Sequence, residues 1–183
     1  MGNVHQRMKR NQQGLIILYT GNGKGKTTAA LGIALRCWGR NMPVVMLQFI
    51  KKKELKSGEH LAARSMPGFE ITALGDGFTW LSENLEIDKQ LAIDGWELCR
   101  QNLLRQDISV VILDELTYCI SYGWLDIDTV LRDISARPEG MHVVVTGRDA
   151  HPELVAAADL VTEMREITHP FTKGVPPQKG IDL

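Results

Sequence analysis

A glycine-rich stretch that ends in Lys-Thr-Thr is the clearest chemical signal in this sequence. Residues 20–28 are Thr-Gly-Asn-Gly-Lys-Gly-Lys-Thr-Thr, directly after an apolar run and directly before an alanine-rich one. We expect Gly21, Gly23 and Gly25 to take positive φ, so that several backbone N–H groups point inward, and a helix starting near Lys26 to add its positive dipole end. The stretch predicts a P-loop that binds a polyphosphate.

The side chains of this loop have distinct expected roles. Lys26 is expected to bridge phosphate oxygens, and the hydroxyl of Thr27 to be a ligand of Mg²⁺. Lys24 is either a second phosphate contact or a solvated lysine. Threonine stands at position 20, where the usual P-loop has its first glycine, so we expect Gly21 to close the turn instead. The predicted nucleotide-binding residues are Gly21, Asn22, Gly23, Lys24, Gly25, Lys26, Thr27 and Thr28.

Two adjacent carboxylates follow another apolar run. Residues 110–113 are Val-Val-Ile-Leu, and Asp114 and Glu115 come next, which is the form of a Walker B strand. Ligands gather at the carboxyl ends of parallel strands, so both acids are expected to face the Mg²⁺ held by Thr27. The acid pair alone favours an ATPase, in which one carboxylate orients an attacking water. The other interpretation is that both acids cap a helix that starts near Leu116.

The elements that must position these residues alternate between strands and helices. Four short runs rich in Val, Ile and Leu predict strands buried on both faces, at residues 15–19, 44–49, 110–113 and 143–145. Helical stripes are predicted at Ala30, Leu31, Ala34, Leu35 and Trp38, and at Leu85, Ala92, Trp96, Cys99 and Leu103. Weaker patterns predict strands at 69–74 and 160–167 and helices at 126–135 and 152–157. The order predicts an α/β fold with a mainly parallel sheet and helices on both faces.

Composition limits the classes of protein this chain can be. Its 183 residues suit one domain, expected at 14–183, with a flexible N-terminal arm at 1–13 and a C-terminal arm from about 170. Its 21 basic and 22 acidic residues disfavour a general nucleic-acid binder. No run approaches the ~18 apolar residues of a membrane span, so we expect a cytoplasmic protein without membrane contact. Three cysteines in apolar contexts, Cys37, Cys99 and Cys119, predict reduced core thiols.

Two large aromatic residues lie in a glycine-rich connection. Phe78 and Trp80 follow Gly75-Asp76-Gly77 and do not belong to a periodic face. They either fold back onto the core or contact a flat partner.

Five motifs in order give the sequence a family resemblance. They are residues 20–28, Gln-Phe-Ile-Lys at 48–51, Gly-Phe-Thr-Trp at 77–80, Leu-Asp-Glu-Leu-Thr-Tyr at 113–118 and Gly-Ile-Asp at 180–182. Over about residues 14–183 this set resembles the P-loop type of ATP:corrinoid adenosyltransferase. The resemblance implies a RecA-like homodimer that transfers the 5′-deoxyadenosyl group of ATP to a Co(I) corrinoid and releases tripolyphosphate. Such an enzyme serves adenosylcobalamin biosynthesis and corrinoid salvage.

The resemblance also implies residue roles. Lys26 and Glu115 would be catalytic, and Thr27, Glu115 and Asp114 would hold Mg²⁺ or Mn²⁺. Arg36 aligns with a nucleotide contact of the family, although a solvated helix arginine is an equal possibility. Phe78 and Trp80 align with aromatics that displace the lower axial ligand of the corrinoid.

The resemblance implies an ATP pose and an electron source as well. The triphosphate would be reversed relative to ordinary P-loop ATPases. A separate reduced flavoprotein would supply the electron, because the sequence contains no redox cofactor motif.

Two other functions remain open from the residues alone. One is a RecA-like ATP hydrolase or phosphotransferase, favoured by the acid pair. The other is a nucleotide-dependent switch whose aromatic loop docks a protein partner. The products separate the three: tripolyphosphate with an adenosylated corrinoid, ADP with phosphate, or no turnover.

Overall fold

The computed structural model describes residues 14–52, 57–75 and 85–182. The predicted N-terminal arm and the aromatic residues Phe78 and Trp80 lie outside these ranges. The strands are β1 (Ile16–Thr20), β2 (Val44–Lys52), β3 (Phe69–Gly75), β4 (Val110–Asp114), β5 (His142–Thr146) and β6 (Leu160–Glu163). The helices are α1 (Lys26–Trp38), α2 (Gly58–Ala63), α3 (Leu85–Leu103), α4 (Leu116–Ser121), α5 (Ile127–Ser135) and α6 (Pro152–Ala157), and a short 3₁₀ helix spans Pro170–Lys173.

The six strands form one parallel sheet in the order β3-β2-β4-β5-β1-β6. All five residues of β4 and the last four of β5 are buried, as their unbroken apolar runs predict. One strand, β5, separates β1, which leads into the glycine-rich loop, from β4, which ends in the acid pair. This is the arrangement of a RecA-like P-loop fold, so the predicted fold class is confirmed.

Helices cover both faces of the sheet. On one face, buried residues of α3, α4 and α5 such as Trp96, Cys119 and Val130 pack with Val111 and Val143 of the central strands. On the other face α1 packs through Ala30 and Ala34. No helix among the described residues is both long enough and apolar enough to span a bilayer.

The structure corrects parts of the predicted apolar stripe of α1. Ala30 and Ala34 are buried, but Leu35 is 58% exposed and Trp38 is 39% exposed. The two alanines let α1 approach the sheet closely, so the larger side chains of the stripe lie beside the contact rather than inside it. Cys37 is only half-buried, whereas Cys99 and Cys119 are core thiols as predicted.

The last strand is shorter than predicted. It ends at Glu163 rather than at residue 167. Among the strands that the structure describes, it pairs with β1 alone, and the final register pair is Thr20 with Glu163. Beyond Thr20 the chain turns into the glycine-rich loop, so later residues have no strand to pair with.

Candidate active site

The predicted chemical residues meet at the carboxyl-end edge of the sheet. The glycine-rich loop leaves β1 there, Asp114 is the last residue of β4, and Gln48 of β2 is in register with Asp114. Thr146 ends β5, which lies between β4 and β1. A parallel sheet aligns the carboxyl ends of its strands, so the topology itself assembles these groups.

The backbone of the loop depends on glycine for two different reasons. Gly21 and Gly25 have φ of 90° and 120°, and Gly25 immediately precedes α1. Gly23 has no positive φ, contrary to our expectation. A Cβ on Gly23 would lie 2.7 Å from the carbonyl carbon of Arg165. The N–H of Gly23 donates to the Met164 carbonyl at 2.7 Å. Gly23 is therefore required by the close approach of the chain after β6.

Lys26 is held at the centre of this loop. Its Nζ donates to the carbonyl oxygens of Gly21 at 2.8 Å and Gly23 at 2.9 Å, and the residue is 7% exposed. Burial lowers the pKa of the Lys26 ammonium, and the nearby charge of Glu115 opposes that shift. The ammonium lies where an oxygen of a phosphate bound by the loop can replace a carbonyl partner.

The Asp114 carboxylate is buried and surrounded by donors. Its Oδ1 accepts from Thr27 Oγ1 at 2.9 Å and from Thr146 Oγ1 at 2.7 Å, and its Oδ2 accepts from Gln48 Nε2 at 3.0 Å. Three donors fix its orientation. Asp114 thus holds the hydroxyl of Thr27 in place.

Glu115 differs from its neighbour. Its backbone has φ of 61°, and its N–H donates to Thr146 Oγ1 at 3.0 Å. Its side chain makes no capping bond to α4, so the capping interpretation is wrong for Glu115. Among the described residues, Oε2 is buried and has no hydrogen-bond partner. Burial, together with the charge of Asp114, raises the pKa of Glu115 to about 7, although Lys26 opposes the shift.

These oxygens fit a hard divalent cation. Mg²⁺ and Mn²⁺ bind carboxylate and hydroxyl oxygens, and the unpartnered Oε2 of Glu115 and the hydroxyl of Thr27 are of this type. Within the described part of the chain, no group of three His, Cys, Asp or Glu could hold a metal ion. A cation at this edge would therefore complete its coordination with water and with phosphate oxygens of the nucleotide.

A cleft of about 570 Å³ opens beside the loop, between α1 and α2. Leu31, Leu35, Met66 and Phe69 form its apolar wall. Lys51 and Glu59 form an ion pair of 2.5 Å on its polar side. A volume of this size is within the range of small-molecule binding sites, and the lining offers both apolar and charged contacts.

Two ion pairs fix the rim of this cleft. Burial opposes ionisation of Glu59, but its bond to Lys51 prevails and lowers the Glu59 pKa to about 2. Lys24 pairs with Asp182 at 2.5 Å, so the end of the described chain lies against the glycine-rich loop. The Lys24 side chain is 41% exposed in this pair, and its two predicted roles stay predictions.

The remaining predicted site residues are placed as follows. Arg36 is exposed in the last turn of α1 and does not line the cleft. Phe78 and Trp80 lie outside the described residues. Gln48 and Thr146, which bond to Asp114, were given no role by the sequence analysis. Thr146 ends β5, and Gln48 is a polar residue inside the otherwise apolar first half of β2. A polar residue within or directly after a buried apolar run is the signal that could have identified them.

Comparison with known proteins gives a consistent result. A family model described as "ATP:corrinoid adenosyltransferase BtuR/CobO/CobP" matches residues 12–183. The corrinoid adenosyltransferase of Pseudomonas aeruginosa is 39% identical over 174 residues, which are 95% of this chain and 86% of that protein. The corrinoid adenosyltransferases of Escherichia coli K12 and Salmonella typhimurium, the latter named CobA, are each 38% identical over 94% of this chain and 87% of their own. Among solved structures, the helicase domain of Pyrococcus furiosus Hef gives a TM-score of 0.46 at 12% identity, over 90% of this chain and 37% of that chain.

Proposed function

Because this chain belongs to the BtuR/CobO/CobP family of ATP:corrinoid adenosyltransferases, we propose how its own residues serve adenosyl transfer. The enzyme transfers the adenosyl group of ATP to a corrinoid. Release of tripolyphosphate and a role in corrinoid salvage are consistent with that activity. Family membership decides against the hydrolase and switch functions that the acid pair and the aromatic loop left open.

The reaction assigns the nucleophile to the substrate. The electron pair of Co(I) forms the bond to the 5′ carbon of ATP, the bond from that carbon to the bridging oxygen breaks, and its electron pair leaves on tripolyphosphate. No side chain has to attack. The protein has to orient the 5′ carbon toward cobalt and to stabilise the negative charge that grows on the leaving group.

We assign that charge stabilisation to the glycine-rich loop. Lys26 would exchange its carbonyl partners for phosphate oxygens, and the inward N–H groups of the loop would donate to the same triphosphate. Thr27 and Glu115 would hold Mg²⁺ or Mn²⁺, with Asp114 orienting Thr27. Bound there, the cation would neutralise charge on the phosphate oxygens.

The corrinoid side of the reaction is proposed from the family resemblance. Phe78 and Trp80 would occupy the space of the lower axial ligand, which makes Co(II) easier to reduce, and a reduced flavoprotein would deliver the electron. Arg36 would contact the nucleotide. We further propose a cytoplasmic homodimer in which residues 14–183 act as one domain, with arms at 1–13 and from about 170.

One observation supports the ATP side most strongly. The Thr27 hydroxyl bonds to Asp114 across 87 residues of sequence, which joins the phosphate loop and the acid pair into one site. The test is to incubate the protein with ATP, Mg²⁺ and chemically reduced cob(I)alamin. We expect the corrinoid spectrum to change to that of an alkylated cobalt and tripolyphosphate to form in equal amount. ADP and phosphate with an unchanged corrinoid would contradict the proposal.

A further inference from the structure

Gln48 is a polar residue on the face of β2 that α1 covers. Side chains alternate along a strand, and Val44 and Met46, at even spacing from Gln48, pack with Ala30 of α1. Gln48 therefore lies on the same face, where it is 0% exposed. In the sheet it is the register partner of Asp114 at the end of β4. The amide and the carboxylate thus lie side by side on the face of the sheet that α1 covers.

The bond between these two side chains determines which way the amide faces. The Gln48 Nε2 donates to Asp114 Oδ2 at 3.0 Å, and a carboxylate can only accept. The amide oxygen Oε1 therefore faces away from Asp114. Within residues 14–52, 57–75 and 85–182, this oxygen is buried and has no hydrogen-bond partner. A methionine would fill a similar space without burying an unpaired acceptor, so packing alone does not explain an amide here.

The carboxylate that Gln48 contacts controls two other groups of the site. Asp114 Oδ1 accepts the proton of the Thr27 hydroxyl at 2.9 Å, which leaves the lone pairs of Thr27 Oγ1 for another partner. The same Oδ1 accepts from Thr146 Oγ1 at 2.7 Å, and Thr146 in turn accepts from the N–H of Glu115 at 3.0 Å. The orientation of one carboxylate thus decides how Thr27 and the backbone of Glu115 are presented.

The amide of Gln48 is the contact that can fix this orientation. A carboxylate turns easily about its bond to Cβ, and the hydroxyl protons of Thr27 and Thr146 rotate and can follow it. Within the part of the chain that the structure describes, Gln48 alone donates to Oδ2. The N–H bonds of an amide lie in its plane, so this donor cannot follow a turned carboxylate in the same way.

We propose that Gln48 is a positioning residue for the divalent cation of the transfer reaction. Its amide holds the Asp114 carboxylate in the orientation that takes the proton of the Thr27 hydroxyl, and so keeps the lone pairs of Thr27 Oγ1 free for Mg²⁺ or Mn²⁺. Gln48 acts through these two residues rather than on the substrates. The inference rests on the proposed function in one respect, the assignment of Thr27 as a ligand of the cation.

The experiment measures the factor by which Mg²⁺ strengthens ATP binding. ATP affinity is determined by calorimetry without corrinoid, once with Mg²⁺ and once with a chelator, and a change in the factor between variants reports the contact between cation and protein. Q48M removes the donor at similar size, and Q48N keeps an amide on a side chain one methylene shorter. The control is Q90M, because the exposed Gln90 of α3 donates to the Asp94 carboxylate at 2.8 Å and so makes the same type of bond outside the site.

The two Gln48 variants are expected to lose cation dependence and to retain nucleotide binding. The Mg²⁺ factor should fall about 10-fold in Q48M and Q48N, while ATP affinity without Mg²⁺ changes by less than about 2-fold. In transfer to chemically reduced cob(I)alamin, the Mg²⁺ concentration for half-maximal rate should rise about 10-fold, and kcat at saturating Mg²⁺ should stay within about 3-fold of the parent. Q90M is expected to match the parent in every measurement.

Each outcome decides the inference. A folded Q48M with the Mg²⁺ factor of the parent overturns it, and so does equal weakening of ATP binding with and without Mg²⁺, which is the result of a purely structural role. If Q48M does not fold, Q48N gives the answer. A parent protein whose ATP affinity does not depend on Mg²⁺ overturns the cation site and the inference together. A parent that does not adenosylate cob(I)alamin, but whose Mg²⁺ factor falls in Q48M, overturns the proposed function and supports the inference.

Discussion

The polar groups at the amino-end edge of the sheet and those at the carboxyl-end edge differ in their hydrogen bonding. At the amino end, the Arg137 guanidinium donates to the carbonyl oxygens of Gly14, Ile134 and Met141 at 2.7–2.9 Å. At the carboxyl end, Glu115 has positive φ and a buried carboxylate oxygen without a partner among the described residues. The Arg137 guanidinium is thus bonded within the protein, whereas Glu115 retains an oxygen that a ligand would satisfy.

Other polar groups of the two edges differ in the same way: those at the amino end bond to the strands, and Lys26 at the carboxyl end has partners that a ligand can replace. Asp159 accepts from the Ile16 N–H at 2.8 Å, and His142 Nδ1 accepts from the Leu15 N–H at 3.0 Å, so the amino-end edge ties β1 to β5 and β6. Lys26, at the other edge, is bonded to carbonyl oxygens that a phosphate can replace. We therefore expect substitutions at the amino-end edge to lower stability and substitutions at the carboxyl-end edge to lower activity.

Lys26→Ala should give the largest effect on activity. The loss of one charge-assisted contact to the leaving group is expected to reduce kcat by about 10²–10³-fold. The free energy of unfolding should change little, because burial of the ammonium already opposes its charged form. Steady-state kinetics and urea denaturation of the same preparation measure the two quantities. Near-parental turnover in a folded protein would remove Lys26 from the mechanism.

Arg137→Ala should give the reverse pattern. It leaves three carbonyl oxygens without their charged donor, which is expected to cost about 2–3 kcal/mol of stability. The kcat at a temperature where the variant is folded should equal that of the parent. Arg132→Ala is the matched control and should change stability by less than about 0.5 kcal/mol. A loss of kcat in folded Arg137→Ala would break the division between the edges.

Glu115→Gln should lower activity and raise stability. The folded pKa of about 7 lies above the ordinary 4.5, because burial and Asp114 disfavour the carboxylate. The contribution of Glu115 to the free energy of unfolding is therefore fully present below pH 4.5 and is lost as the pH rises through about 7. A glutamine does not ionise, so the variant does not lose this contribution. At pH 8 without metal, Glu115→Gln should be more stable than the parent by about 1–3 kcal/mol, allowing for partial solvent screening.

Unfolding curves of the parent and of Glu115→Gln at pH 5 and pH 8 test whether the difference in stability has this pH dependence. The advantage of Glu115→Gln should shrink toward pH 5, and its turnover should fall at least about 10-fold. A variant that is less stable than the parent at pH 8 would show that Glu115 has a structural role instead.

His142→Asn should give the smallest effect. Burial lowers the pKa of His142, and the positive charge of Arg137 adds to the shift, so the folded protein favours the neutral ring that accepts from Leu15. Its stabilising contribution is present above pH 6.5 and lost as the pH falls through the lower folded value. An asparagine oxygen can accept the same bond without titrating. The variant should therefore lose less stability between pH 7 and pH 5, by under about 1 kcal/mol, and parallel pH curves for the two proteins would contradict this.

The sequence predicts the carboxyl-end edge better than the amino-end edge. The glycine-rich loop and the pair Asp114 and Glu115 have motifs because phosphate and cation chemistry require fixed residue types at fixed spacing. Arg137 has no such pattern. Its bonds go to backbone carbonyl oxygens, which every residue has, so its partners depend on the folded path of the chain alone.

Within the site, the sequence could not separate the two carboxylates. Asp114 and Glu115 are adjacent and chemically alike, but β4 directs Asp114 toward Thr27, Thr146 and Gln48, while Glu115 has a positive φ and a buried Oε2 without a partner among the described residues. The requirement for glycine at position 23 was predicted for the wrong reason. That requirement comes from the chain after β6, which lies 141 residues away at Met164.

The most direct test of the central claim follows the bridging oxygen of ATP. The carboxyl-end edge is proposed to hold a whole triphosphate that leaves when the bond to the 5′ carbon breaks. ATP labelled with ¹⁸O at the oxygen between the 5′ carbon and the α-phosphorus is incubated with the protein, Mg²⁺ and cob(I)alamin. Mass spectrometry of the products then shows which product contains the ¹⁸O. The account predicts that all of the label appears in tripolyphosphate and none in an adenosine 5′-hydroxyl. Label retained in ADP or in adenosine would show cleavage at phosphorus and would contradict it.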